Sequence, residues 1–200
     1  MPTSDSDIIA KVSGGAKRQF ALLVDRYKDR AMTLAVRMLK NREDAEEATQ
    51  DAFIRAYNAL DKFEGKAQFG TWFYRILYNV CLTKLGKRKD EFASIEYDDE
   101  QGYEAAQKVT FLGGISEQKV TSDSEFETGD LILFVKKIIE KLPDKYGTIL
   151  SMFYFQELSH AEICEVTQLP LGTVKIHLFR ARTLLQEQLK KELQPERVFV

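Results

Sequence analysis

The chain has 200 residues, of which 44% are hydrophobic and 30% are charged, and its formal net charge at pH 7 is −2. This apolar content suits one large or two small globular domains and excludes disorder throughout the chain. Because no run of about 18 apolar residues occurs and the first residues lack the basic and apolar parts of a secretion signal, the sequence predicts a cytoplasmic protein without membrane insertion.

The small net charge conceals an uneven distribution of charges along the chain. Residues 1–89 carry 17 basic and 11 acidic side chains, residues 90–130 carry 2 and 12, and residues 131–200 carry 10 and 8. Two blocks with an excess of cations therefore flank a strongly acidic stretch. Such a chain has to be interpreted segment by segment rather than through its overall charge.

The first block predicts a helical domain over residues 1–89. After a break at Ser13, Gly14 and Gly15, apolar residues recur every three or four positions up to about residue 40, which predicts a long amphipathic helix. Residues 41–44 form a candidate turn and cap, and a second helix continues to about residue 61. A loop over residues 62–70 precedes a third helix, for which Thr71 is the predicted N-cap.

Aromatic side chains alternate with cations between residues 63 and 89. Unpaired bases stack on aromatic rings with about 1–3 kcal/mol each while cations hold the backbone, so this composition is typical of a surface for single-stranded or melting DNA. Asn79 lies about two helical turns beyond Trp72, where its amide could read the edge of an extruded base, whereas Phe73 and Tyr74 are expected in the core. The DNA-contacting residues predicted here are Phe63, Phe69, Trp72, Arg75, Asn79, Lys84, Lys87 and Arg88.

Residues 90–130 combine weak periodicity, several glycines and the acidic run, which predicts a flexible acidic linker. The last block, residues 131–200, predicts a compact four-helix domain. The predicted fold is therefore all-α, with two small helical domains joined by this linker.

The last domain contains two short helices joined by a tight turn, which is the pattern of a helix-turn-helix. Ser159 and Glu162 are spaced for a capping box at the start of the first helix, and Thr173 is the predicted cap of the second. Helical spacing turns Val174, Leu178, Ala181 and Leu185 toward the core. The side chains left on the other faces, which could enter a major groove, are Lys175, Ile176, Phe179, Arg180 and Arg182.

Two stretches together resemble the extracytoplasmic-function sigma factors of bacterial RNA polymerase. They read NREDAEEATQDAFIRAYNALDKFEGKAQFGTWFYRILYN at 41–79 and LPDKYGTILSMFYFQELSHAEICEVTQLPLGTVKIHLFRAR at 142–182. The resemblance implies a region 2 domain that binds core polymerase and melts the minus-ten element, and a region 4 domain that reads the minus-thirty-five element. It also implies an anti-sigma partner, a role in initiation without catalysis, and no cofactor or metal.

The same resemblance assigns roles to individual positions. Residues matching the helix that docks on the polymerase clamp are Asp44, Glu47, Gln50 and Asp51. The loop from Phe63 to Phe69, with Asn79, matches the pocket for a flipped base of the non-template strand. The positions matching upstream duplex readout are Lys175, Ile176, Phe179 and Arg180, with His177 in the same stretch and Arg182 expected at a phosphate.

The linker length bears on how the two domains would reach a promoter. Its 41 residues span at most about 140 Å fully extended and roughly 35 Å as a flexible coil. Promoter elements about 70 Å apart are then within reach only if the linker is stretched. This estimate favours bridging over tight docking of the domains, with the acidic linker held extended in a basic channel of the polymerase.

Three other interpretations of the sequence differ from this one in how strongly its residues support them. A helix-turn-helix regulator whose first domain senses a ligand stays open, and such a protein would usually dimerise and bind paired half-sites alone. A di-metal site at Glu43, Glu47 and Asp51 is disfavoured because bundle sites of that kind need histidine, and both histidines lie in the other domain. His160 and Cys164 lack a second ligand pair for zinc, and Cys81 and Cys164 are expected to be small buried hydrophobes.

Overall fold

The computed structural model describes residues 3–86, 134 and 137–192, and its regular elements are all helical. In the first half, residues 3–86, the helices are α1 (Asp5–Ser13), α2 (Phe20–Leu39), α3 (Arg42–Asn58) and α4 (Phe69–Leu85), with 3-10 turns at Lys17–Gln19 and Leu60–Lys62. The second half, residues 137–192, has helical residues at 137–140 and then α5 (Asp144–Tyr154), α6 (His160–Thr167) and α7 (Leu171–Glu192). The predicted all-α fold is confirmed. The predicted linker, residues 90–130, lies outside the described residues.

Several helix ends follow from local sequence chemistry. The predicted break after α1 is confirmed, since α1 ends at Ser13 and Gly15 adopts a φ of 101°. The Asn41 side chain accepts a hydrogen bond from the Asp44 backbone N–H at the start of α3. The predicted capping box of α6 is also present, because Ser159 and Glu162 each satisfy a backbone N–H of the other. These bonds occupy donors that the first helical turn leaves unpaired.

The predictions that Thr71 and Thr173 are N-caps are wrong. Helix α4 begins two residues earlier, at Phe69, because that side chain is 3% exposed and packs into the core. Helix α7 begins at Leu171, directly after Pro170, whose carbonyl accepts the Val174 N–H at 3.1 Å. Both threonines therefore lie inside the first helical turn.

Small and aromatic side chains alternate in the core of the first half. Helix α3 buries alanines at a spacing of three and four residues, which lets it approach α2 and α4 closely. Helix α4 fills the space with fully buried rings, and Phe53 of α3 stacks on Phe73 at a centroid distance of 4.4 Å. The buried alanines are Ala45, Ala48, Ala52 and Ala56.

The two halves pack against each other. Helix α2 contacts α5, and α4 contacts α6, so that buried residues of both halves belong to one continuous hydrophobic cluster. This arrangement differs from the expectation that the domains are bridged rather than docked. The length of the linker determines only how far apart the two halves can move. Apolar and polar contacts of α2 and α4 with the second half hold the halves together.

Candidate nucleic-acid and polymerase interfaces

An aromatic cluster surrounds the start of α4. The ring of Trp72 lies 5.1 Å from that of Phe63 and 5.7 Å from that of Phe69, measured between centroids. Phe63 and Trp72 are partly buried, whereas Phe69 is 3% exposed and stacks on Phe73 beneath. Phe69 therefore forms the floor of the cluster, and Trp72 and Phe63 remain the rings that another molecule can reach.

Two polar side chains share the Trp72 side of α4. Positions 72, 75 and 79 follow helical spacing, so they occupy one face of the helix. Arg75 is exposed and Asn79 is partly buried. An indole, a guanidinium and an amide thus share one face of α4, and the contact of these three residues with DNA stays a prediction.

Tyr27 of α2 fixes the position of α4 beneath this cluster. Its ring lies 5.3 Å from that of Phe69, and a Cβ at Gly70 would lie only 3.1 Å from the Tyr27 ring. The Tyr27 hydroxyl donates a hydrogen bond to Asp5 of α1, and burial together with this bond raises the pKa of Tyr27. The helical spacing of α2 does not predict this role of Tyr27, and Gly70 at the start of α4 is the local signal for it.

The acidic face of α3 is exposed. Asp44, Glu47 and Gln50 are exposed and Asp51 is partly so, and an exposed apolar side chain, Ile54, lies one turn further along, with 60% of its surface accessible. This face offers carboxylates and a hydrophobic side chain to a partner. Within α3, Arg55 pairs with Asp51 at 2.9 Å.

Lys84 belongs to this acidic face in the structure. Its ammonium lies 2.8 Å from a Glu47 oxygen and 3.2 Å from an Asp44 oxygen. The hydrogen bond to Glu47, followed by that to Asp44, raises the pKa of Lys84. Twelve residues of helix separate it from Trp72, which is about 18 Å along the axis, so it is not brought to the aromatic cluster. Lys87 and Arg88 lie outside the described residues.

The core face of α7 matches the predicted one, but His177 does not match its prediction. Val174, Leu178 and Ala181 are at most 1% exposed, and Leu185 is partly buried against the same core. His177 is also fully buried, with Tyr146 edge-on at 5.4 Å. Burial, then the nearby cations of Lys145 and Arg180, lower its pKa to about 4, so the ring is neutral at pH 7. This burial leaves His177 no surface with which to contact DNA in this conformation.

The remaining predicted residues of α7 differ in how freely they project. Lys175 is exposed, while Ile176 and Phe179 are partly buried. Arg180 donates a hydrogen bond of 3.3 Å to the Tyr146 hydroxyl. Arg182 lies over two rings of α5, 5.1 Å from the centroid of Phe153 and 5.8 Å from that of Tyr154. Both guanidinium groups are thus oriented by aromatic residues of α5.

His160 and Cys164, which the sequence disfavours as zinc ligands, pack among apolar and aromatic side chains or lie partly buried in the structure. His160 stacks on Phe153 at 5.4 Å, and burial, followed by the charge of Arg182, lowers its pKa. Cys164 is partly buried and Cys81 is fully buried. Within residues 3–86 and 137–192, no three acidic, histidine or cysteine side chains are grouped as a metal site would require.

No helix among the described residues combines the length and apolar character needed to cross a membrane.

Two protein families match separate parts of the chain. The sigma-70 region 2 family matches residues 23–91, and the sigma-70 region 4 family matches residues 135–185. The first match contains the aromatic cluster and the acidic face of α3, and the second contains α5, α6 and most of α7.

Full-length relatives extend these matches over nearly the whole chain. The ECF RNA polymerase sigma factor SigW of Bacillus subtilis is 37% identical over 183 residues, covering 91% of this chain and 95% of SigW. The RNA polymerase sigma-H factor of Pseudomonas aeruginosa is 33% identical, covering 96% of this chain and 94% of that protein. The ECF sigma-E factor of Haemophilus influenzae is 30% identical, with coverages of 94% and 96%.

Solved structures show the same fold at lower identity. CnrH in complex with the cytosolic domain of CnrY matches with a TM-score of 0.62 and 19% identity, over 95% of this chain and 99% of that one. The sigma factor RpoE of Bartonella quintana, solved with the anti-sigma factor NepR, matches with a TM-score of 0.60 and 21% identity, over 86% and 98%.

Proposed function

The chain belongs to the extracytoplasmic-function group of the sigma-70 family, whose members direct RNA polymerase to promoters, and from this premise we propose how its residues divide that work. The protein acts in promoter-specific initiation of transcription, together with core RNA polymerase and promoter DNA. The proposed domains are residues 1–89 for polymerase binding and promoter melting, 90–130 as a linker, and 131–200 for upstream recognition.

The aromatic cluster is proposed to hold the opened minus-ten element. Trp72 and Phe63 provide accessible ring faces for a base, and Arg75 supplies a cation for the backbone on the same side of α4. Asn79, on the same helix face, carries donor and acceptor atoms that match the hydrogen-bonding edge of an extruded base. Phe69 supports the cluster from below.

Helix α7 is proposed to read the upstream element as a duplex. Lys175 and Arg180 carry donors for guanine acceptors or phosphates, while Ile176 and Phe179 offer apolar contact to a thymine methyl. Arg182 is proposed to contact a phosphate. His177 contributes from beneath the helix by filling the space against Tyr146.

The exposed face of α3 is proposed to bind core polymerase. Its carboxylates at Asp44, Glu47 and Asp51, with Gln50, suit a basic partner surface, and Ile54 adds an apolar centre. The location of Lys84 supports a role at this interface rather than at DNA.

An anti-sigma factor is proposed to control the protein, supported by the named anti-sigma complex of the RpoE relative and the CnrH–CnrY complex. The protein performs no catalysis of its own and acts in the cytoplasm, where polymerase transcribes.

The observation that carries the melting role is the accessible Trp72 ring on the same face of α4 as Arg75 and Asn79. Transcription with purified core polymerase on a duplex promoter and on the same promoter pre-opened at the minus-ten element tests it. We expect Trp72→Ala and Asn79→Ala to impair initiation on the duplex promoter. On the pre-opened promoter, the initiation activity of Trp72→Ala in particular should be restored. Arg180→Ala should stay impaired on both templates, and Lys28→Ala, an exposed change on α2, serves as the matched control. Normal initiation by all three variants would refute the proposed roles.

The alternative, a ligand-sensing regulator, predicts a different DNA-binding behaviour of the same purified protein. Such a protein would bind paired DNA half-sites tightly as a dimer without polymerase. A sigma factor instead requires core polymerase for strong promoter binding, so a gel-shift assay with and without polymerase separates the two.

A further inference from the structure

Arg37 of α2 inserts its guanidinium into the second half of the protein. The side chain is only 4% exposed, and its Nη2 donates hydrogen bonds to the backbone carbonyls of Leu142 at 2.7 Å and Pro143 at 3.1 Å. Its Nη1 lies 3.7 Å from a carboxylate oxygen of Asp144, which Lys40, the C-cap residue of α2, approaches to 2.7 Å. A charged side chain of one half is therefore buried against the backbone of the other.

A missing side chain on α5 makes room for this guanidinium. If Gly147 carried a Cβ, that atom would lie 2.0 Å from Nη2, 2.3 Å from Nε and 2.5 Å from Cζ of Arg37. Gly147 lies inside α5, and its backbone is not in the left-handed region. At such a helical position alanine stabilises the helix by about 1 kcal/mol relative to glycine. The helix therefore gains nothing from a glycine here, whereas the guanidinium needs one.

Further polar contacts join the two halves besides that of Arg37 at Gly147. The Gln156 side-chain amide, 3% exposed, donates to the Arg30 carbonyl at 3.0 Å, and the Arg30 guanidinium pairs with Glu157 at 2.8 Å. On the α4 side, the Thr71 hydroxyl bonds to Glu162. These contacts use specific backbone and side-chain atoms of α2 and α4, so the two halves dock in one defined relative position.

The closed contact is weaker than its burial suggests. Among the described residues, Arg37 Nε and Nη1 are buried without a hydrogen bond, and Nη1 keeps only the 3.7 Å ion pair with Asp144. Buried donors left unpaired cost about 1–3 kcal/mol each, which offsets part of the two carbonyl bonds. Such a contact can hold the halves together and still open when a partner binds.

Opening is required by the geometry of the promoter, a step that rests on the function proposed above. Two promoter elements about two helical turns apart lie roughly 70 Å from each other, and two halves in direct contact do not span that distance. We propose that Arg37 seated at Gly147 is a latch that holds the free protein closed, and that this latch has to release before both promoter elements are bound.

Gly147→Ala tests the latch because it displaces the guanidinium while favouring α5 itself. Small-angle X-ray scattering of the full free chain should give a larger radius of gyration for Gly147→Ala than for the natural sequence, with unchanged helical content by circular dichroism. Gly172→Ala is the matched control, since a Cβ there meets nothing within 4 Å, and it should leave the radius of gyration unchanged.

A double-mutant cycle shows whether the effect passes through Arg37. In an Arg37→Ala background the guanidinium is absent, so adding Gly147→Ala should cause no further expansion. An unchanged radius of gyration in the folded Gly147→Ala variant would overturn the latch, and so would an equal expansion with and without Arg37.

Binding to core polymerase tests the functional consequence separately. If only the open form binds, its small population weakens the apparent affinity, and Gly147→Ala should bind core polymerase more tightly, by about threefold or more. Equal affinity would overturn the requirement for opening. If the natural protein never directs initiation but Gly147→Ala still expands, the latch stands and the proposed function fails.

Discussion

The Thr71 hydroxyl donates a hydrogen bond of 2.8 Å to Oε1 of Glu162, which joins the aromatic helix α4 to the first helix of the helix-turn-helix. Glu162 uses its other carboxylate oxygen for the capping box with Ser159. One carboxylate therefore both starts α6 and holds α6 against the first half.

Thr71→Val should weaken this contact while preserving the shape of the side chain. We expect a loss of about 1 kcal/mol in the free energy of unfolding, since a hydrogen bond to a charged acceptor is removed from a partly buried site. Urea unfolding followed through Trp72 fluorescence measures it. Thr83→Val is the matched control, because the Thr83 hydroxyl bonds only within its own helix, to the Asn79 carbonyl, and a loss as large as that of Thr71→Val would contradict the assignment.

The Glu162 contact should also depend on pH. Burial would raise the pKa of this carboxyl, but hydrogen bonds from Ser159 and Thr71 outweigh it and lower the pKa below the usual 4.5. A lowered carboxyl pKa contributes stability that is present above pH 4.5 and is lost as the pH falls through the folded-state value. Glu162→Gln, which keeps the capping box, should flatten the stability profile below pH 4.5, as measured by thermal unfolding at several pH values.

Protonation of His177 should destabilise the protein at higher pH than protonation of Glu162 does. Because its folded-state pKa of about 4 lies below the usual 6.5, protonation favours the unfolded chain. Stability is complete above pH 6.5 and decreases toward pH 4, in total by roughly 3 kcal/mol. His177→Phe should remove this decrease.

The same variant addresses whether His177 reads DNA. If the ring only fills the core against Tyr146, His177→Phe should preserve which promoters are selected in a library transcribed with core polymerase. A changed upstream sequence preference would show that the side chain reaches DNA after all.

The partly buried Tyr27 and the fully buried Tyr74 should respond in opposite ways to loss of their hydroxyls. The Tyr27 hydroxyl donates to Asp5, so Tyr27→Phe should cost about 1 kcal/mol of unfolding free energy. The Tyr74 hydroxyl is buried without a hydrogen-bond partner among the described residues, so Tyr74→Phe should be neutral or stabilising. Urea unfolding of both variants checks this, and a larger loss in Tyr74→Phe than in Tyr27→Phe would contradict it.

Lys84→Met tests whether this cation serves the polymerase face or DNA. Removing it leaves the carboxylates of Asp44 and Glu47 without the ammonium that lies between α3 and α4. We expect faster association with core polymerase at low salt, an effect that shrinks as salt screens the charges. Impaired promoter opening with unchanged polymerase association would instead place Lys84 at DNA.

The sequence predicted those features that local chemistry determines. Apolar spacing gave the core face of α7, glycines gave the break after α1, and the Ser159 capping box was readable from two residues. The helix starts at Phe69 and Leu171 were missed because tertiary burial and a preceding proline outweighed the capping preference of threonine.

Long-range contacts were beyond reach of the sequence patterns. Nothing near Arg37 indicates that it is buried at Gly147, since the two residues meet only after both halves have folded and docked. His177 likewise shares its helix with exposed Lys175, and only the position of Tyr146 on α5 explains its burial. Helical spacing was sufficient to predict that Trp72, Arg75 and Asn79 share one face, because all three lie on the single helix α4.

The surroundings of the two thiols determine how the protein meets oxidants. Burial raises the pKa of Cys81 to about 12, and burial also raises that of Cys164. Peroxides attack the thiolate form, which neither residue populates appreciably at neutral pH. Oxidants that act on thiolates should therefore modify neither Cys81 nor Cys164 readily at neutral pH, in contrast to exposed thiols of low pKa.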